Sequence, residues 1–297
     1  MKRGLSAIFV LLFSVSLWAQ SATLKISEVM YCPASGGAEY VELYNDGGEA
    51  VDLSGVCLAR MRGDSINRLY PLSSEHRWME GFSYYVFTKD SADIVHRFAV
   101  KNPSHIVVPP SMPPLVNNAG FVVLCNGDSS VIEHFEYSDA LHNTLLSNLC
   151  GVALERRDFG IPVSSADNWS SASSLSGYGT PTYANSVCRD TTADGDDFSI
   201  SSQIVSPDGD GVHDEVEITY SLVSDNLMAN ITIVNARGHI VRHLLRNASL
   251  GAAGVILWDG KDNAGACCPR GNYILLIEPY DMKGTRKMIK HVISVVY

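Results

Sequence analysis

The sequence predicts an all-β protein built as two sandwich domains joined by a short acidic hinge. Three observations predict it. Apolar residues recur with period two in short runs rich in aromatic and β-branched side chains, and Gly, Asn, Asp or Pro bounds each run. No long stretch carries a helical period. Between two such blocks, Arg189-Asp190-Thr191-Thr192-Ala193-Asp194-Gly195-Asp196-Asp197 is small, acidic and without apolar pattern. The expected organisation is a leader over 1–20, a first domain over 21–188, a linker over 189–199 and a second domain over 200–297. About 275 residues after the leader suit two domains that each bury a core.

The first element is an address rather than structure. Lys2 and Arg3 form a positive start, Ala7 to Leu17 an apolar stretch too short for a bilayer, and Ala19-Gln20-Ser21 a small-residue cleavage zone. This reads as a cleaved secretory signal, so the expected location is secreted or on the outer cell surface, with no transmembrane anchor after cleavage. The first Cys, Cys32, lies too far in for a lipoprotein signal.

In the first domain, strands are expected at Tyr40–Tyr44, Ser83–Phe87, Gly120–Leu124 and Val131–Tyr137. Along the first of these, Val41 and Leu43 should face the core and Tyr40, Glu42 and Tyr44 the other side, with Asp46-Gly47 supplying a positive φ for the turn that follows. Pro109-Pro110 and Pro113-Pro114 make a stiff, extended loop inside the domain. In the second domain, Ala229–Val234 and Tyr273–Ile277 read as strands, Arg237-Gly238 as a turn, and Trp258 as a core residue entering the sharp Asp259-Gly260 turn.

Two groups of these elements carry family resemblances. Ile26-Ser27-Glu28-Val29, Glu39-Tyr40-Val41-Glu42-Leu43-Tyr44-Asn45 and Val51-Asp52-Leu53-Ser54-Gly55, followed by Leu154-Glu155-Arg156, Asn168-Trp169 and Gly179-Thr180-Pro181, resemble the lamin-tail domain of secreted bacterial proteins over roughly residues 24–187. Val56-Cys57-Leu58 departs from the family, which usually has Trp there. Ile231–Leu244, Trp258-Asp259-Gly260 and Pro269-Arg270-Gly271-Asn272-Tyr273 resemble the immunoglobulin-like domain of flagellar hook-capping proteins, found also at the end of gliding-type and type IX-exported surface proteins. The resemblances imply two immunoglobulin-like β-sandwiches and no known active site. Trp169 is expected to cap the first core.

Charge excludes one class of partner. The formal net charge is −10, and losing Lys2 and Arg3 makes it two units more negative. Phosphate binding displaces counterions through clustered Lys and Arg, and no basic run exists, so no nucleic-acid partner is expected. The densest basic group, Lys283, Arg286, Lys287 and Lys290, lies in a terminal hairpin. The cysteines number 7. Their spacing leaves the pairing open and suits no zinc site, while an odd count leaves at least one free or intermolecular. Adjacent Cys267-Cys268 read as a turn with two separate thiols.

One segment has metal-ligand character. In Ser206-Pro207-Asp208-Gly209-Asp210-Gly211-Val212-His213-Asp214-Glu215, Asp208, Asp210 and Asp214 can gather carboxylate oxygens around one cation while the glycines let the loop wrap. Ca²⁺ is the expected ion and His213 stays outside its shell. The spacing is not that of an EF-hand, and the plain rival is an Asp-Gly turn. His239 and His243 lack the helix that a metal-binding i, i+4 pair requires.

Enzyme-like fragments are present: Gly63-Asp64-Ser65 with Asp139-Ala140-Leu141-His142 imitate an esterase superfamily, but Arg60-Met61-Arg62 supplies a β context rather than an α/β one. Arg62-Gly63-Asp64 spells an adhesion tripeptide. Asp64-Ser65-Ile66, Asp90-Ser91-Ala92 and Asp190-Thr191-Thr192 resemble acceptor triplets for O-glycosylation. The expected function is a noncatalytic, secreted or cell-surface structural or adhesion protein. Its lamin-tail domain would contact an extracellular protein or glycan, and its C-terminal domain would serve assembly or sorting, including contact with secretion machinery. The alternative is an accessory module of an extracellular hydrolase complex, or a degenerate hydrolase.

Overall fold

The structure is a computed structural model that describes residues 22–63, 65–188, 195–224, 226–284 and 286–297. The expected leader over 1–20, hinge residues 189–194, Asp64 of the adhesion tripeptide and the Asp190-Thr191-Thr192 triplet lie outside the described residues. Among the described residues the fold is all-β, with one short helix and several 3-10 turns. Two compact units divide the chain. The first contains the described residues up to Asp139 with Phe159–Asn168 and Pro181–Ala184; the second contains Ala140–Asp158, Trp169–Thr180 and Asn185–Tyr297.

The first unit runs through β1 (Leu24–Met30), β2 (Tyr40–Asn45), β3 (Val51–Asp52), β4 (Val56–Arg62), β5 (Ser65–Pro71), β6 (Trp78–Met79), β7 (Tyr84–Thr88), helix α1 (Ser91–Arg97), β8 (Ile106–Val107), β9 (Ala119–Asn126) and β10 (Val131–Ser138). Strands β1-β2-β7-β8 are neighbours in one sheet and β10-β9-β4-β5 form another, while β3 pairs with β6. All pairs are antiparallel except β7 with β8. Helix α1 starts because the Asp90 carboxylate accepts the Asp93 N–H at 3.1 Å. The prolines at 109–114 form no regular element.

One local expectation is extended and one corrected. Val41 and Leu43 of β2 are buried as expected, and Tyr40 and Glu42 on the opposite face are buried as well. The strand is flanked by β1 and β7 and covered on both faces, so even its carboxylate is enclosed, with Glu42 Oε2 accepting the Thr182 N–H at 2.6 Å. Asp46-Gly47 does not turn through a positive φ, since neither residue adopts one. Gly47 is needed for space instead, because a Cβ there would stand 2.8 Å from Thr23 Cγ2.

The second unit contains β11 (Leu154–Arg156), β12 (Trp169–Ser171), β13 (Asp197–Ile200), β14 (Ile204–Val205), β15 (Val216–Ser221), β16 (Met228–Asn235), β17 (Ile240–Ser249), β18 (Ala253–Trp258), β19 (Gly271–Tyr280) and β20 (Ile289–Val295). A sheet in the order β13-β15-β18 and another in the order β14-β20-β19-β16-β17 share one apolar core. The expected linker ends inside β13, because Phe198 is buried between exposed Asp197 and Ser199 and so begins the period-two pattern early. Segments after Asp139 join this unit through their own hydrogen bonds. The Ser173 and Ser174 hydroxyls donate to the Ser249 carbonyl at 3.0 and 2.8 Å, and the Ala252 N–H donates to the Ser186 carbonyl at 2.8 Å.

Trp258 is fully buried and meets Tyr273 edge-on at 5.8 Å between ring centroids. Its indole N–H donates to the Lys261 carbonyl at 3.0 Å, which ties the core to the Asp259-Gly260 turn. Trp169 is also buried, on β12. Cys32 and Cys150 are in disulfide form. Cys57, Cys125, Cys267 and Cys268 are free thiols.

Candidate functional site

The acidic loop of the second unit spans from β14 to β15. Its neck is closed by the Ser206 N–H donating to the His213 carbonyl at 2.7 Å. Gly209, Gly211 and His213 take φ values of 80°, 86° and 58°, so the chain coils repeatedly through the left-handed region. Two of these three are glycines, for which that region carries no Cβ penalty. At the base, Gly260 (φ 67°) lies against the loop, where a Cβ would be 3.0 Å from Pro207 Cγ.

The coil turns backbone N–H groups toward carboxylates. Asp214 accepts from Gly209 at Oδ1 and from Gly211 at Oδ2, both at 2.8 Å. Asp210 Oδ1 accepts the Val212 N–H at 2.7 Å, and Asp208 accepts the Asp210 N–H and the Ser206 hydroxyl at 3.2 and 3.1 Å. One oxygen from each of Asp208, Asp210 and Asp214 lies within 4.8 Å of the others. Oxygens that close can surround one Ca²⁺, whose ligand distances are about 2.3–2.6 Å. Each carboxylate oxygen has a second lone pair, so a backbone N–H and a cation can share it. The donor set is hard oxygen at the surface, and no described Lys, Arg or His forms an ion pair with these three aspartates. His213 is exposed, and its imidazole offers nitrogen rather than the oxygen donors of the three aspartates.

The other marked residues are scattered. Ser65 is exposed at the start of β5. Asp139 accepts the Tyr31 hydroxyl at 2.7 Å. His142 is buried and its Nδ1 lies 2.8 Å from Ser171 Oγ. His239 follows the Gly238 turn and His243 lies on β17, its Nδ1 3.3 Å from Thr232 Oγ1.

Two features were not legible in advance. Glu155 on β11 is fully buried and accepts hydrogen bonds from the Thr180 and Ser186 hydroxyls at 2.8 and 2.7 Å and from the Val187 N–H at 3.1 Å. Loss of hydration outweighs these donors and pushes its carboxyl up to about 7. Asp52 accepts from Ser54 and stands 2.5 Å from His76 Nδ1 at an exposed edge. Although burial raises its carboxyl, the combined hydrogen bonds hold it below the ordinary aspartate value.

Comparison with known proteins adds three solved structures of low identity. The chain is similar to dimeric latent PorU of Porphyromonas gingivalis at 12% identity and a TM-score of 0.27, over 92% of this chain and 20% of that one. It is similar to PorZ, a surface component of the type-IX secretion system of the same bacterium, at 14% identity and a TM-score of 0.28, over 92% and 39%. A Ca²⁺-stabilized adhesin of an Antarctic bacterium matches at 10% identity and a TM-score of 0.19, over 92% and 50%. The chain thus spans half or less of each of these structures. No curated protein matches it. The family match is confined to the N-terminal part, where residues 19–139 match the model described as the Lamin Tail Domain.

Proposed function

We propose that the protein is a noncatalytic secreted or cell-surface structural or adhesion protein. Its lamin-tail-like unit contacts an extracellular protein or glycan. The second unit, read as an immunoglobulin-like sandwich of the hook-capping kind, serves assembly or sorting and meets the secretion machinery. The observation that carries this reading is the Lamin Tail Domain match, which ends at Asp139 where the main segment of the first compact unit also ends. Export rests on the signal-like segment Lys2–Ser21. Ca²⁺ held by Asp208, Asp210 and Asp214 stiffens the loop that leads into β15.

Cell fractionation followed by crosslinking and capture tests the reading. Recovery in the medium or at the outer surface, crosslinked to a surface protein or glycan, supports it; confinement to the cytoplasm sinks it. The second reading, an accessory or degenerate hydrolase, draws on the buried contact between His142 and Ser171. Turnover of an ester, phosphate or nucleic-acid substrate that is lost on His142→Gln would favour it.

A further inference from the structure

Arg60, Arg62 and Arg68 are too dispersed in the sequence to form a basic run, but strand register gathers them. On the β4–β5 hairpin, Arg60 stands directly opposite Arg68. Side chains opposite each other in an antiparallel pair share a face, and Arg62, two residues along β4, returns to that face about 7 Å further on. All three are exposed. None forms an ion pair with a described residue. Arg68 is steadied instead by Tyr70, with its guanidinium carbon 4.7 Å from the ring centroid. Like charges directly opposite across strands destabilise a hairpin. In a chain with a net charge of −10, such a cluster calls for an external counter-ion.

We propose that this face of the β4–β5 hairpin docks an anionic polysaccharide, whose sulfate or carboxylate groups are received by Arg60, Arg62 and Arg68. The inference rests on the surface-binding reading above and names the ligand class. Guanidinium forks match both kinds of group in two-point contacts. Three charges amid an acidic protein suit a narrow single chain, because a duplex or bilayer would bring its other charges against the remaining carboxylates. An added peptide strand is disfavoured at this sheet edge, since β5 carries a bulge opposite Arg60 and Met61 and ends in Pro71, which has no N–H to offer.

The test titrates the full chain with heparin, polygalacturonate, uncharged dextran and polyglutamate across a range of salt. Heparin, which carries sulfate and carboxylate, or polygalacturonate, which carries carboxylate alone, should bind and weaken with salt, and binding of heparin without polygalacturonate marks sulfate as the required group; dextran should not bind. Replacing the three residues together (R60Q, R62Q, R68Q) should weaken binding at least tenfold and flatten the salt dependence by up to about three charges. R60Q alone should weaken binding while leaving the melting temperature unchanged or higher, because it relieves the repulsion with Arg68. The inference is overturned if neither charged glycan binds at low salt, if the triple variant binds as well as the parent, or if polyglutamate matches the glycans. Should the crosslinking experiment still capture a surface partner in that event, the surface-binding reading survives and only this ligand assignment falls.

Discussion

Tyr220 lies across Gly254, its direct partner on the neighbouring strand, so closely that a Cβ at Gly254 would stand 2.5 Å from the tyrosine hydroxyl oxygen. Tyr137 covers Gly120 in the same way in the first unit. In both places a missing side chain gives a large ring its resting surface. Gly254→Ala must therefore displace the buried Tyr220 ring, with an expected loss of about 1–3 kcal/mol from overpacking. Denaturant unfolding of the variant measures it, and an unchanged midpoint would mean that Tyr220 moves aside freely.

Trp258 fills the second core and anchors the turn after it. Trp258→Ala should cost about 3–5 kcal/mol and abolish much of the near-UV circular dichroism. A variant with the parent's melting point and near-UV spectrum would remove Trp258 from the role assigned to it.

Calcium should stabilise the chain, since its ligands converge only in the folded loop. At about 100 times the dissociation constant the gain is roughly 2.7 kcal/mol. The double substitution Asp208→Asn with Asp210→Asn should abolish that gain and leave the calcium-free protein folded. Thermal melts with calcium and with chelator decide the matter: no calcium-dependent shift in the parent returns these residues to a plain turn.

Glu155 gives stability a pH dependence of definite sign. Its folded carboxyl is raised from the ordinary 4.5 to about 7, so the folded state holds the proton more tightly than the unfolded chain. The contribution is complete below about pH 4.5 and is lost as pH rises through 7. Glu155→Gln should flatten that fall relative to the parent. Parallel slopes for both proteins between pH 4.5 and 7 would show that the carboxyl is ionised throughout.

Protease should cut first within 189–199, the small acidic stretch expected to link the domains. The two fragments should nevertheless remain associated after cleavage, because Ser173, Ser174 and Ser186, all on the N-terminal side of the cut, are hydrogen-bonded to Ser249 and Ala252 on the other. Gel filtration of the nicked protein at low and at high denaturant checks this. Separation without denaturant would show that these contacts are too weak to hold the segment.

Features made by neighbouring residues were legible in the sequence. Period-two runs foretold β2, β7, β9, β10, β16 and β19, and the seven-residue stretch from Asp208 through Asp210 to Asp214 was enough to mark an acidic loop. Trp258 was legible as a core residue because the turn that follows it is written in the next two positions. Local chemistry decides such features, since alternation and turn formation act between residues a few bonds apart.

Tertiary structure decided the rest. Only the placement of β2 between β1 and β7 buries Tyr40 and Glu42 as fully as Val41 and Leu43, and only the approach of Thr23 makes Gly47 a matter of space rather than of φ. Only strand register sets Arg60 against Arg68, and only the approach of Thr180, Ser186 and Val187 to β11 encloses Glu155. By itself the sequence determined which segments become strands, where acidic side chains concentrate and where the chain turns. Which faces are covered, which charges meet and which carboxyl loses its water were settled by contacts between segments far apart in the chain, whose geometry no local pattern contains.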